Sequence, residues 1–233
     1  MAIPQDRYYD LAPTAVWLKR LLYLSLAMTA VSAVSTLMEL RLLDAAERGA
    51  FPSDEALTEA AETSDRWSGI IGIISLIVFI ATSVQALTWI YRSAHNARVR
   101  ATYMEYTPAS CVWWYFVPIA TLWKPFGAMR EIWRQFATQA GRPEDTGRAL
   151  LGAWWTFWII SGLLNQVSLR LAFRAEDLAS LRAADKFALF VVPFDVISTL
   201  IFMGVVMGLT ALQREADANR GAPAPVPRMA ASG

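Results

Sequence analysis

Four long apolar runs constrain this chain more than anything else in it: Leu21–Leu40, Ile70–Ile90, Ala149–Leu169 and Phe187–Leu212. At 1.5 Å of rise per residue, each run can cross a hydrocarbon layer about 30 Å thick. A soluble domain of 233 residues rarely needs four of them. The expected fold is all-α: a polytopic membrane protein with four transmembrane helices, a Pro/Trp-rich re-entrant or interfacial segment and an amphipathic helix. Residues 1–213 read as one four-helix transmembrane domain, with the interfacial segment over 108–140. Residues 214–233 read as a disordered cytoplasmic tail, and its stretch Gly221–Gly233 is rich in Pro and Ala.

Lysine and arginine counts orient such a chain. With four spans and both termini inside, 14 of the 21 basic residues fall on the cytoplasmic side, eight of them between the second and third runs. A fifth span would reverse everything after it. Its one candidate, Cys111–Trp123, is only 13 residues long and is broken by Pro118, so it suits a segment that dips into or rests on the membrane. The polar stretch Met1–Pro13 has no short apolar core or small-residue cleavage site, so the first run reads as a retained anchor.

Beyond Pro125, Phe126, Met129, Trp133 and Phe136 recur at steps of three and four, with Lys124, Arg130, Arg134 and Gln135 between them. The pattern predicts an amphipathic helix that begins at Pro125 and stops at Gly141. It is expected to lie flat on the inner leaflet, its basic side chains among anionic headgroups. The alternative is a helix packed on the bundle. A short helix is expected after Pro52, capped by Ser53 with Asp54 and Glu55 in its first turn, and another over Arg170–Lys186.

Several residues are candidates for function. Thr82, Gln85, Trp89, Arg92 and Asn96 lie on one face of the second run. An unpaired polar group in hydrocarbon costs several kcal/mol, so this stripe faces protein or water. It is either helix–helix glue or one wall of a cytoplasm-facing pocket. Asp195, beside Pro193, is the only acidic residue deep inside a run. It reads as an ion or proton site, or as a carboxyl bonded to Asn165 and Gln166. Glu39 reads as interfacial. The tryptophans Trp113, Trp114, Trp123, Trp133, Trp154, Trp155 and Trp158 fall in the inner half. They form an aromatic belt, or the wall of a pocket where Arg92, Lys124 or Arg130 meets an anionic headgroup.

Other chemistries are poorly served. A single cysteine, Cys111, leaves no intrachain disulfide and no cysteine-based zinc site, and a single histidine, His95, leaves no multi-histidine metal site. His95 reads as an interfacial residue. No Gly-rich phosphate loop, HExxH or GxSxG occurs. A lipid-modifying enzyme would need an acid–base pair near the inner interface. Only His95 and Glu131 offer themselves there, and the sequence spacing pairs neither with a second acid–base group. No enzyme activity, cofactor or metal is expected.

Several segments together carry a likeness. They are Trp89-Ile90-Tyr91-Arg92 with Asn96, Trp113-Trp114-Tyr115-Phe116-Val117-Pro118-Ile119, Leu122-Trp123-Lys124-Pro125-Phe126, Met129-Arg130-Glu131-Ile132-Trp133, and Leu150-Leu151 with Trp154-Trp155. In this order the chain resembles a bacterial integral-membrane family catalogued as a domain of unknown function. The resemblance implies a multi-pass protein of the bacterial inner membrane and supplies no activity or catalytic residue.

The functional expectation is a non-enzymatic membrane protein with both termini cytoplasmic. Its cytoplasmic face would bind lipid headgroups, a small amphipathic ligand or a protein partner. The residues expected to form that site are Gln85, Trp89, Arg92, Asn96, Trp113, Trp114, Lys124, Arg130, Arg134 and Trp154. The alternative is an oligomeric transporter or ion-conducting subunit using Asp195. Expected partners are membrane lipids, anionic ones among them, and a second copy or another membrane protein, with no nucleic acid.

Overall fold

Capping chemistry sets where the long helices begin. Asp10 accepts the Ala12 N–H at 2.9 Å and starts α1 (Leu11–Glu47). Ser53 accepts from Ala56 N at 3.3 Å and starts α2 (Asp54–Arg100), with Asp54 and Glu55 complementing the positive helix end. The cap predicted after Pro52 is therefore real, but it opens no separate short helix: the turn it starts runs unbroken into the second apolar run.

The computed structural model describes residues 8–101 and 103–221, and among them all regular structure is helical. After α2 come a short α3 (Pro108–Trp113), a 3-10 turn at Ala120–Leu122, α4 (Lys124–Gln139), α5 (Arg148–Phe173) and α6 (Leu178–Gly221). The segment Arg170–Lys186, expected to be one helix, is instead the end of α5 and the start of α6 on either side of a short break. α6 runs through Pro193 and on to Gly221, so residues 214–221 are helical rather than part of a disordered tail. The remainder of that tail lies outside the described residues.

Three helices, α1, α2 and α6, are long and apolar enough to cross a membrane. α5 falls outside that set. Its 26 residues reach about 39 Å, but Trp154, Trp155, Trp158, Asn165 and Gln166 dilute its apolar character. Mid-helix residues such as Ile73, Ile77 and Phe79 are more than 60% exposed. That much apolar surface fits a lipid surround better than water.

The long helices form a row of neighbours, α2–α1–α6–α5. Both described chain ends sit at the same end of this row, where Tyr8 hydrogen-bonds Asp217 at 3.0 Å. The chain therefore passes along the bundle an even number of times. At the opposite end Arg182 of α6 ties down Asp44 and Glu47 of α1 at 2.7 and 2.8 Å.

The tightest core lies at the end where Tyr8 meets Asp217. α4 packs there against α2, α5 and α6. Met129, Trp133 and Phe136 of the apolar face read from the sequence, with Ile132 beside them, are all under 5% exposed, and Phe126, the first residue of that face, is partly buried. They pack among Trp89, Val205, Val206 and Leu209. The helix and its face are as predicted, but the face is covered by protein and not by a leaflet. Three helices crowd one side of α4, and burial there removes the apolar stripe from lipid altogether.

Candidate functional site

The polar stripe of α2 has partners 57 to 87 residues away in sequence. Thr82 Oγ1 meets Ser25 Oγ at 3.1 Å. Gln85 Nε2 donates to the Thr14 carbonyl at 3.1 Å, and Arg92 donates to the Thr14 hydroxyl at 2.7 Å. Asn96, fully buried, accepts from the Tyr9 amide at 2.9 Å and donates to the Tyr9 carbonyl at 2.6 Å. Next to these, Arg100 pairs with Asp217 and lies over the Tyr8 ring, 4.0 Å from its centroid. Burial, and then the Asp217 carboxylate, push the Tyr8 phenol above its ordinary range. The stripe is thus a clamp that fastens the N-terminal segment to the ends of α2 and α6.

Trp89 and Trp154 belong to the interior too. Trp89 is wholly buried with its edge toward Phe202 at 6.4 Å, and Trp154 stacks on the same ring at 5.3 Å. Of the ten expected site residues, then, Gln85, Trp89, Arg92, Asn96 and Trp154 build the scaffold. Trp113, Trp114, Lys124, Arg130 and Arg134 remain near the surface, in two places.

The first place is the hairpin between α3 and α4. Thr107 caps α3, and its helical turns end at Trp113. The chain then reverses through Pro118-Ile119-Ala120. Ala120 N donates to Pro118 O at 2.7 Å, and Ile119 sits at φ 65°, ψ −57°. This is a γ-turn of the rarer, strained hand, adopted here by a β-branched residue. The reversal is the physical reason why Cys111–Trp123 is not a span. Cys111 faces inward with no exposure, and burial pushes its thiol up to about 12. Trp113, Phe116, Ile119, Leu122 and Trp123 face outward, 48% to 70% exposed. Trp155 of α5 holds the hairpin by donating Nε1 to the Leu122 carbonyl at 3.1 Å, and Tyr115 meets Trp158 edge-on at 6.0 Å. Lys124 stands at its base, 3.7 Å from Glu105 and 5.4 and 5.7 Å from the rings of Tyr106 and Trp114.

The second place is the outer face of α4. Arg130 and Arg134 project from it toward the first turn of α5, where Arg148 joins them around a cavity of about 230 Å³. Beneath them the Trp133 indole is wedged between two glycines. A Cβ on Gly147 would lie 2.3 to 2.4 Å from three of its atoms, and a Cβ on Gly208 would lie 2.7 Å from Cη2. Gly147 also has φ +77°, a left-handed value that favours glycine. Arg148, Gly147 and the indole position were not legible from sequence; the one signal was a glycine immediately before a helix start.

Asp195 lies between α5 and α6. Its Oδ1 accepts from Ser161 Oγ and, at 2.8 Å, from Asn165 Nδ2. The expected Asn165 partner is present, Ser161 adds to it, and no bond to Gln166 forms. Among the described residues no group of three or more His, Cys, Asp or Glu is placed to hold a metal ion.

This arrangement, from the first turn of α2 through the hairpin, α4 and α5 to most of α6, coincides with a family match over residues 54–211, described as Domain of unknown function (DUF4328). The chain belongs to that family. α1 lies outside the matched residues, although the α2 stripe is spent on holding its start. No curated protein and no solved structure matches the chain.

Proposed function

We propose that this is a non-enzymatic, four-span protein of the bacterial inner membrane, with both termini cytoplasmic, whose hairpin Trp113–Trp123 seats in the inner-leaflet headgroup layer and binds anionic lipid. α5 is the fourth span in this reading. Its length, its packing against α6 and the exposed Leu163 and Val167 support that. The basic bias toward the α4 end supports the orientation.

One observation carries the lipid reading: a row of large apolar side chains, all about half exposed or more, on a tight reversal of the chain beside Lys124. Unpaired backbone polar groups keep such a turn out of the hydrocarbon, while its indoles favour the interface. Lys124 at the hairpin base adds about 1 kcal/mol of attraction to an anionic surface.

Spin labels placed singly at Phe116→Cys and Ile119→Cys, in nanodiscs, test the depth. Both are expected to be reached by oxygen and shielded from a water-soluble nickel chelate. Aqueous accessibility at both positions would defeat the reading.

A further inference from the structure

Polar side chains are costly against hydrocarbon, and α1, α2 and α6 keep theirs covered. Within the apolar runs of these three helices every serine, threonine, asparagine, glutamine and charged side chain is at least partly buried. α5 departs from this: within Ala149–Leu169, Thr156, Asn165 and Gln166 are exposed. A threonine hydroxyl can turn back on its own helix. Asn165 is engaged by Asp195 and by the Ser161 carbonyl. Gln166 makes no hydrogen bond among the described residues.

Helical spacing puts Gln166 on one face with Gly162, Leu169 and Phe173, at steps of four, three and four. That is the spacing of a seam between paired helices. All four residues are exposed, and a Cβ on Gly162 would meet nothing within 4 Å. α5 stands at the end of the row of helices, and the described chain ends lie at the other end of the bundle, where Tyr8 meets Asp217. A glutamine near the end of a span is commonly just solvated by headgroups. Here exposed apolar side chains continue past it through Leu169 and Leu171 to Phe173, which is 82% exposed, so the apolar surface does not stop at Gln166. Arg170, among them, has a stem long enough to carry its charge to the headgroups.

We propose that this face of α5 is the interface of a parallel two-fold dimer whose other half is a second copy of the chain; the proposal rests on α5 being the fourth span. A two-fold axis along the membrane normal sets each seam residue against its own counterpart. A primary amide carries both donors and an acceptor, so Gln166 and its counterpart exchange hydrogen bonds and each supplies what the other lacks. One turn away Gly162 lets the two backbones approach, and Leu169 and Phe173 close the seam on the outer side. A foreign helix would have to bring a matching polar group to the same depth, whereas a copy brings it by symmetry. Gly162, Gln166, Leu169 and Phe173 are all uncharged, so no oppositely charged partner is called for. A side that faces protein also accounts for the weaker apolar character of α5 beside α1, α2 and α6.

The full chain, in a Cys111→Ala background, carries donor or acceptor dye on Ser232→Cys and is reconstituted in vesicles of phosphatidylethanolamine and phosphatidylglycerol. Energy transfer is followed as added lipid dilutes the protein and is expected to trace a monomer–dimer curve. Gln166→Leu is expected to weaken association about three- to thirtyfold, the range of one interhelical hydrogen bond in a membrane. Gln166→Asn keeps an amide and is expected to lose less. Gly162→Leu, whose new side chain has open space in its own chain, is expected to lose more than Gln166→Leu. Ile77→Ala, on an exposed face of α2, is expected to change nothing. Under mild oxidation an unlabelled Gln166→Cys protein is expected to form a disulfide-linked dimer and Ile77→Cys is not. Circular dichroism of each variant separates lost association from lost fold. A wild-type chain that stays monomeric at every dilution, or Gly162→Leu and Gln166→Leu proteins that associate as wild type does, would overturn the interface. Reaction of Gln166→Cys with a membrane-impermeant maleimide, in the Gly162→Leu background, separates this inference from the span it rests on. Wild-type association together with a Gln166→Cys open to water upholds the pairing and removes the fourth span. A shielded Gln166→Cys in a protein whose wild type is monomeric keeps the span and overturns the pairing.

Discussion

Replacing Gly147 by alanine tests the wedge that joins α4, α5 and α6. Two costs add. A non-glycine residue at φ +77° gives up about 1–2 kcal/mol to the left-handed backbone. The new Cβ also falls 2.3 to 2.4 Å from Cε2, Cζ2 and Nε1 of Trp133, far inside contact. The ring cannot retreat, because its far edge already meets α6 so closely that a Cβ on Gly208 would sit 2.7 Å from Cη2. Forcing an extra carbon into such a site costs about 1–3 kcal/mol. The expected loss for Gly147→Ala is about 2–5 kcal/mol. Gly208→Ala meets the same ring but gains about 1 kcal/mol of helix propensity, for a net loss of about 0–2 kcal/mol. Gly204→Ala touches only the flexible Leu150 side chain at 3.5 Å and is expected to be neutral or to stabilise by about 1 kcal/mol. Reversible unfolding of the detergent-solubilised protein, followed by circular dichroism, ranks the three. In a Trp133→Phe background, which lacks the outer ring atoms, the Gly208→Ala loss should vanish, a coupling visible in a double-mutant cycle. A Gly147→Ala protein within 0.5 kcal/mol of wild type, or one more stable than Gly204→Ala, would refute the wedge.

Asp195→Ala leaves the Ser161 hydroxyl without its acceptor, while Asn165 Nδ2 keeps its bond to the Ser161 carbonyl at 3.0 Å, so it is expected to loosen α5 from α6 by about 1–3 kcal/mol, and Asp195→Asn keeps an acceptor and loses less; equal stability of wild type and Asp195→Ala would count against the bond. Cys111 is fully buried with its thiol pushed up to about 12, so at pH 8 only about one molecule in ten thousand carries the thiolate. Maleimide is expected to label the folded protein very slowly and the denatured protein at once, and rapid labelling without denaturant would contradict the inward placement.

Much of the architecture was legible because membrane helices advertise themselves by length and polarity. The run Leu21–Leu40 falls inside α1, the Ser53 cap sits at the head of α2, and the amphipathic face Met129, Trp133, Phe136 is the buried face of α4. Less was legible at the candidate site. Gln85, Arg92 and Asn96 were correctly placed on one face, but nothing local revealed that Thr14 and Tyr9 would meet them. The basic residues of α4 were visible, whereas Arg148 became their neighbour only through the turn at Gly147.

The sequence by itself determined the helical class, the helices long and apolar enough to cross a membrane and the short reach of Cys111–Trp123, because each depends on composition and spacing within one segment. Tertiary structure alone decided what covers each face. It put α6 and α2 where a leaflet was expected against α4, turned the polar stripe into a clamp on the N-terminal segment, and set an indole between Gly147, just before α5, and Gly208 of α6. Periodicity states which side chains share a face; only the packing of distant segments, as far apart as Tyr8 and Asp217, states what that face meets.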